Sequence, residues 1–358
     1  MRTTVMEVSS KTFNKNIDKI EKYVKGKKIM PVIKANGYGT YINKNLSVIN
    51  RFDIVAVAIV DEAKELRKLG YKKDIFVLNQ PYKEDIKDII KYDVIIGISD
   101  FEFLNELNKV NNKIKVHLEI ETGMNRTGIK INDLNKFIEK IKKINNIIVE
   151  GVYTHLSSAD YDFEYTNGQL DKFKEAVNII KENFNSIKYI HSSASNGIIN
   201  FNDNISNMVR PGIIIYGYES FKGAKEKIDV KPICKLKTKI DFIKEIDKNE
   251  SVSYSRKFKA NKKMKVATIA IGYADGLRRN LTDGYVVVNN KKAKIIGTIC
   301  MDSCMIDITD IEDVKIGTDV YIWDNKLITL DEVALKSNTI NYEIMSTISY
   351  RVPRTFID

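Results

Sequence analysis

Residues 28–217 alternate between two kinds of segment, and this alternation constrains the fold more than any other feature of the sequence. Eight short runs rich in β-branched residues read as strands: 28–35, 54–60, 74–79, 93–99, 113–122, 147–156, 189–195 and 208–217. Helical patterns fall between them at 61–69, 82–91, 100–110, 132–143 and 169–184, and another, 12–24, precedes the first strand. Near-continuous apolar strands separated by helices predict a parallel sheet. Eight such units in one run favour a closed (β/α)8 barrel of the TIM type, with an open doubly wound sheet as the competing arrangement. Ser99-Asp100 and Ile131-Asn132 offer capping side chains at two helix starts.

The pattern changes after about residue 232. Segments 237–246, 263–273, 285–289, 293–301, 305–309 and 319–323 read as strands without long intervening helices, and only 331–336 has a helical pattern. Asn289-Asn290 between two β-rich runs predicts a hairpin turn. The expectation is a barrel over 1–234 followed by a mostly antiparallel β domain over 235–358, which a chain of 358 residues can hold.

Composition removes several function classes. Hydrophobic residues at 43% and charged residues at 29% allow a sizeable core and exclude a disordered chain. No apolar run is long enough for a transmembrane helix, and the first 14 residues lack the apolar region of a signal peptide. Cys234, Cys300 and Cys304 form neither a zinc spacing nor a disulfide framework, so a cytoplasmic location is expected. The net charge of +11 first allows a nucleic-acid partner, but the lysines lie along almost every helix, mixed with acidic residues. That distribution reads as solvated surface, so no nucleic-acid or membrane partner is expected.

In a barrel, functional groups collect at the C-terminal ends of the strands. Those ends carry Lys34, Asn79, Glu119, Glu121, His155, Ser195 and Arg210. A lysine that ends an apolar strand is partly desolvated, which lowers its pKa and favours a nucleophilic amine; the competing reading is a snorkelling surface lysine. His117, His155 and His191 have no metal-ligand spacing, and only His155 falls at a strand mouth. Arg210 precedes Pro211-Gly212, where a cation beside exposed backbone N–H groups suits a phosphate or another anion.

Together these segments resemble one family. Val32-Ile33-Lys34-Ala35-Asn36-Gly37-Tyr38-Gly39 is similar to the pyridoxal-phosphate lysine motif of bacterial alanine racemases. Glu121-Thr122-Gly123-Met124-Asn125-Arg126-Thr127-Gly128, Gly151-Val152-Tyr153-Thr154-His155, Met208-Val209-Arg210-Pro211-Gly212 and Val252-Ser253-Tyr254-Ser255 match in family order. So do Gly272-Tyr273-Ala274-Asp275-Gly276, Cys300-Met301-Asp302 and Ser349-Tyr350-Arg351-Val352-Pro353-Arg354. The resemblance covers essentially the whole chain and implies a fold type III racemase: a barrel that binds pyridoxal 5'-phosphate, followed by a β domain.

The resemblance implies the following roles. Lys34 carries the cofactor and acts as one catalytic base, while Tyr254 is the other, on the opposite face of the substrate. His155 and Arg210 assist Tyr254, and Arg210 also faces the pyridine nitrogen, where a permanent cation leaves that nitrogen unprotonated. Tyr38, Ser195, Gly212, Ile213 and Tyr350 hold the phosphate. Arg126 and the Met301 backbone N–H take the substrate carboxylate, and Tyr273 and Asp302 match the entrance and the residues that back it. The Lys34 and Tyr254 sides of one site come from different subunits, which implies a homodimer with shared sites. The implied activity is interconversion of L- and D-alanine, supplying D-alanine for the cell wall.

Three departures stand out. Glu119 replaces a lysine that is commonly carbamylated in the family, and an ion pair to Arg126 would let it serve the same role. Thr40 and Tyr41 replace the usual His-Gly, and Ser255 replaces a common glycine after Tyr254. Tyr350 favours alanine over serine by restricting room; a serine/alanine or broad-specificity racemase on the same scaffold is the alternative. A barrel-type amino-acid decarboxylase fits less well, because Cys300 lies within and Cys304 just after the racemase-like Cys-Met-Asp segment.

Overall fold

The structure is a computed structural model that describes residues 3–218 and 228–358. The chain divides into two compact units. One comprises Asn14–Gly37 and Ile42–Lys231; the other comprises Pro232–Asp358, the N-terminal segment up to Phe13, and Tyr38–Tyr41.

Strand β1 (Val5–Val8) is the reason the N-terminus does not count with the barrel, as the expected division 1–234 had it. Its alternating burial marks a half-covered strand. It pairs antiparallel with residues 234–237 and parallel with 354–356 of the second unit.

The first unit contains the expected barrel strands: β2 (Lys28–Ile29), β3 (Ile54–Val57), β4 (Asp74–Val77), β5 (Ile95–Ile98), β6 (Ile114–Glu121), the short β7 (Ile129–Lys130), β8 (Ile147–Tyr153), β9 (Tyr189–His191) and β10 (Met208–Val209). Strands β3, β4, β5, β6, β8 and β9 form a parallel run in that order, and β7 hangs on β6. Backbone hydrogen bonds close the ring. Ala56 N–H donates to Pro31 O at 2.9 Å, Met30 N–H to Val209 O at 2.9 Å, and Asn207 N–H to Ile190 O at 3.0 Å. The closed barrel therefore holds, and the open sheet does not. Its interior is filled by inward-facing rings: Phe76 stacks on His117 at 4.5 Å, and Tyr153 on His191 at 5.2 Å.

Helix starts follow local capping chemistry. Asp100 accepts from Glu102 N–H at 2.7 Å and begins Phe101–Leu107 as expected. Asn132 plays no such role, because Ile131–Lys142 already starts one residue earlier. The helix expected at 169–184 runs over Phe163–Asn183, since Asp162 caps it by accepting from Tyr165 N–H at 2.9 Å.

In the second unit, β11 (Cys234–Ile246), β14 (Met264–Ile269), β15 (Tyr285–Val288), β16 (Lys291–Ile296), β17 (Cys304–Asp307) and β18 (Asp319–Trp323) are all antiparallel. β11 is long enough to pair with β18 through one half and with β14 through the other, which closes these six into a ring and removes their free edges. Asn289 and Asn290 both take positive φ, 46° and 58°, and form the expected tight hairpin between β15 and β16. A smaller hairpin, β12 (Ser251–Val252) with β13 (Phe258–Lys259), anchors Val252 and Phe258 on a core of Ile246, Met264, Val266 and Ile296. The expected strand 263–273 ends at Ile269, and a 3-10 turn over Tyr273–Asp275 follows. The chain ends on β19 (Arg354–Phe356).

Candidate active site

The barrel unit brings Lys34, Glu119, Arg126, His155, Ser195, Arg210, Gly212 and Ile213 to the mouth. Lys34 follows the β2 segment, and the residues after it are unusual. Ala35, Asn36, Gly37 and Tyr38 all take left-handed φ values between 51° and 61°. Left-handed backbone costs non-glycine residues roughly 1–2 kcal/mol each, and such strain persists only where the surroundings impose it. Burial, then the nearby Arg126, lower the Lys34 pKa; Glu62 opposes them and Arg210 adds to them.

Arg210 is almost fully buried, at 2% exposure. One terminal nitrogen donates to His191 O at 2.6 Å and to His191 Nδ1 at 2.7 Å. The other donates to Thr154 O at 2.7 Å and Ser192 O at 3.0 Å, with His155 Nδ1 at 3.5 Å. Its Nε–H has no partner among the described residues. A guanidinium cannot accept, so His191 Nδ1 is the acceptor and its proton sits on Nε2. That proton goes to His117 Nδ1 at 2.9 Å, which leaves His117 Nε2–H buried and unpartnered. Burial pulls the Arg210 pKa down to about 10, opposed by Tyr153 and Glu119, so it remains cationic at neutral pH.

Burial, reinforced by Arg210, Arg126 and Lys34, pushes His155 down to about 3, so it is neutral at physiological pH. Glu119, Thr122, Arg126, Thr127, Thr154 and His155 line one recess. Arg126 is exposed there and has no ion-pair or hydrogen-bond partner among the described residues. The expected Glu119–Arg126 ion pair is absent. The Glu119 carboxyl is buried at 5% exposure, and burial raises its pKa; the nearby Thr127 and Tyr153 and the charges of Arg126 and Arg210 oppose that rise, while the Tyr153 hydroxyl itself donates to Leu78 O at 3.0 Å. Glu121, which ends β6, also looks inward: it accepts from Gly123 N–H, and from Asn125 N–H at 2.8 Å, and so shapes the loop that carries Arg126. Ser195 Oγ accepts from Gly212 N–H at 3.1 Å, which leaves its own proton free to be donated.

The second unit gathers Tyr254, Tyr273, Met301, Asp302 and Tyr350 on linked loops. Tyr254 sits on the β12–β13 hairpin, where its carbonyl accepts from Thr298 Oγ1 at 3.1 Å and Ser253 Oγ donates to Thr298 O at 2.5 Å. Tyr273 N–H donates to Cys300 O at 3.0 Å, and Ala274 N–H to Met301 O at 2.9 Å. Arg351 bridges Asp302 at 2.7 Å and Asp275 at 3.5 Å, which fixes the segment that carries Tyr350. Tyr254, Met301 and Tyr350 are exposed at 66%, 53% and 86%. Tyr38 belongs to this unit; burial raises its pKa, and its ring lies 6.1 Å from that of Tyr342.

His191 and Thr154, to which the sequence pattern assigns no role, both hold Arg210. His191 lies within a predicted strand and Thr154 beside His155, but nothing in the pattern showed that both reach the same guanidinium.

A barrel with a desolvated lysine, a buried anchored arginine and a second arginine without a partner among the described residues, followed by a closed β domain, defines a protein of the barrel-plus-β class. Residues 8–220 match the family described as alanine racemase, N-terminal domain, and residues 233–356 that described as alanine racemase, C-terminal domain. The chain belongs to the alanine racemase family. It is 36% identical to an alanine racemase of Methanococcus maripaludis, over 98% of both chains, and 38% identical to one of Clostridium tetani, over 96% of this chain and 92% of that one. Among solved structures, alanine racemase from Bacillus anthracis with bound L-Ala-P matches at a TM-score of 0.93 and 32% identity, covering 100% of this chain and 96% of that one. Alanine racemase of Clostridium difficile 630 matches at 0.93 and 32%, covering 98% and 94%.

Proposed function

We propose that this protein interconverts L- and D-alanine with pyridoxal 5'-phosphate as its cofactor. The observation that carries the reading is the pairing of Lys34, whose pKa burial lowers, with Arg210, whose terminal nitrogens are all engaged while Nε–H is unclaimed. The donor set fits the cofactor. Lys34 offers the amine, Arg210 Nε–H the partner for a ring nitrogen, and Ser195 Oγ with the Gly212 and Ile213 segment the donors for a phosphate, joined by Tyr38 and Tyr350. When bound, the cofactor supplies a conjugated electron-withdrawing ring that acidifies the substrate Cα–H.

Lys34 serves as one base, because a desolvated amine holds a larger neutral fraction near neutral pH. Tyr254 serves as the other. Arg126, without a partner among the described residues, takes the substrate carboxylate together with the Met301 N–H, while Tyr273 and Asp302 belong to the entrance and the residues that back it. Arg210, cationic at neutral pH, would hold the ring nitrogen through its Nε–H and would disfavour protonation there, which would limit charge delocalisation and hence side reactions. The high exposure of Tyr254, Met301 and Tyr350 supports a homodimer in which one copy's β unit completes the other's barrel mouth. Three free thiols suit a cytoplasmic setting, and D-alanine supply for the cell wall is the physiological role that fits.

The test is a visible spectrum of the purified protein, with and without Lys34→Ala, and a D-amino-acid-oxidase-coupled assay with L-alanine. A cofactor band that Lys34→Ala abolishes, and an L-to-D rate that Tyr254→Phe removes, are expected. A protein that takes up no cofactor sinks the reading.

A further inference from the structure

Gln169 lies outside every role assigned so far, yet it is one of the most fully bonded side chains near the mouth. It sits at 1% exposure on the helix Phe163–Asn183. Its Nε2 donates to Thr122 Oγ1 at 3.2 Å and to His155 O at 3.4 Å. Its Oε1 accepts from Ser157 N–H at 3.0 Å and from Ser157 Oγ at 3.2 Å. Two donors and two acceptors are all that an amide has, so its capacity is filled.

These bonds form a directed chain. Thr154 Oγ1 donates to Ile120 O at 2.9 Å, so it accepts from Thr122 Oγ1 at 2.8 Å. Thr122 in turn accepts from Gln169. The amide thus ties the end of β6, where the Arg126 loop begins, to the chain leaving β8 at His155. One turn earlier on the same helix, Tyr165 Oη donates to Gly123 O at 2.7 Å. Gly123 has a φ of +146°, and a Cβ there would lie 2.4 Å from Tyr165 Oη, so the contact requires glycine. Within the loop, Glu121 fixes Gly123 and Asn125 from the other side.

Arg126 has no side-chain partner among the described residues, so its placement is inherited from its backbone. A side chain that only filled space would be apolar here, since a buried amide is tolerated only when fully satisfied. We propose that Gln169, with Tyr165 one turn before it, is a positioning residue that holds the Arg126 loop in register with the His155 strand end and so sets affinity for the substrate carboxylate. This rests on the reading that Arg126 binds that carboxylate.

The experiment uses the cofactor-loaded enzyme. Gln169→Glu keeps the shape and the Ser157 bonds but turns an oxygen toward Thr122 and His155 O. The KM for L-alanine and the inhibition constant for propionate, a carboxylate without the amine, should both rise about tenfold, the scale of one orphaned buried hydrogen bond. The kcat should change far less, with the cofactor band retained. Tyr165→Phe, at a half-exposed position, should raise the same two constants more modestly. If Gln169→Glu loses cofactor and fold together while Tyr165→Phe changes neither constant, the role is packing alone and the proposal is overturned. Unchanged constants in both variants, with Arg126→Lys raising them, overturn the proposal and leave the carboxylate assignment standing. Constants unchanged in Arg126→Lys as well overturn that assignment and the proposal with it.

Discussion

Replacing Arg210 with lysine keeps the charge and removes the fork, and so isolates what the guanidinium geometry contributes. Four close acceptors surround the side chain: His191 O, His191 Nδ1, Thr154 O and Ser192 O, at 2.6, 2.7, 2.7 and 3.0 Å. A lysine ammonium is a single point that cannot span acceptors on both sides of the fork. At least two of them lose their donor in a site that is only 2% exposed. At about 1–3 kcal/mol for each orphaned buried group, Arg210→Lys should cost about 2–6 kcal/mol. For a unit of this size that lowers the melting temperature on the order of 10 °C. The loss should extend to His191, whose Nδ1 would no longer be told which tautomer to adopt, and through it to His117. Calorimetry of the cofactor-free and loaded protein reads the change directly. A variant that melts within about 2 °C of the parent would refute the view that the fork, rather than the charge, holds the barrel mouth together.

Three other outcomes follow from the geometry. Ser253, Ser255 and Arg256 around Tyr254 take φ of 68°, 61° and 49°, so Ser255→Gly should relieve strain and raise stability in urea by about 0.5–1 kcal/mol; a lower midpoint would contradict this. Gly39 has φ +80°, and a Cβ there would lie 2.2 Å from Met345 O, so Gly39→Ala should cost more than about 2 kcal/mol or prevent folding, and a variant with parental melting would count against that contact. His117 and His155 are pushed down to about 3 and His191 well below its usual value, all chiefly by burial. The unfolded chain takes up protons on these rings below about 6.5 while the folded one does not, so their contribution is present above that pH and lost as pH falls toward about 3. Glu119, raised by burial, works in the opposite direction, its contribution present at low pH and lost as pH rises through its folded pKa. Urea midpoints that stay flat from pH 7 to 4 would contradict the buried neutral histidines.

The sequence by itself determined the eight parallel strands, because apolar runs of β-branched residues separated by helical periodicity have few other ways to bury both faces. It determined the Asn289-Asn290 hairpin, because asparagine accepts positive φ and the turn demands it twice. It also put Lys34, His155, Ser195 and Arg210 at strand ends, since strand direction fixes which end opens on the mouth. Tertiary structure alone decided the rest. Val5–Val8 joins the second unit because its partners lie more than two hundred residues away, a pairing that no local pattern encodes. The ring of six antiparallel strands closes only because one long strand pairs through both halves. The expected Glu119–Arg126 pair does not form: Glu119 is buried within β6 at 5% exposure, while Arg126 stands exposed on the loop that follows the strand. Tyr165 reaches the Arg126 loop only because a helix cap at Asp162 extends its helix upstream of the expected start. Periodicity fixes which elements form and which way they point. Only the packed chain decides which distant atoms meet, because those contacts depend on how several elements close around one another.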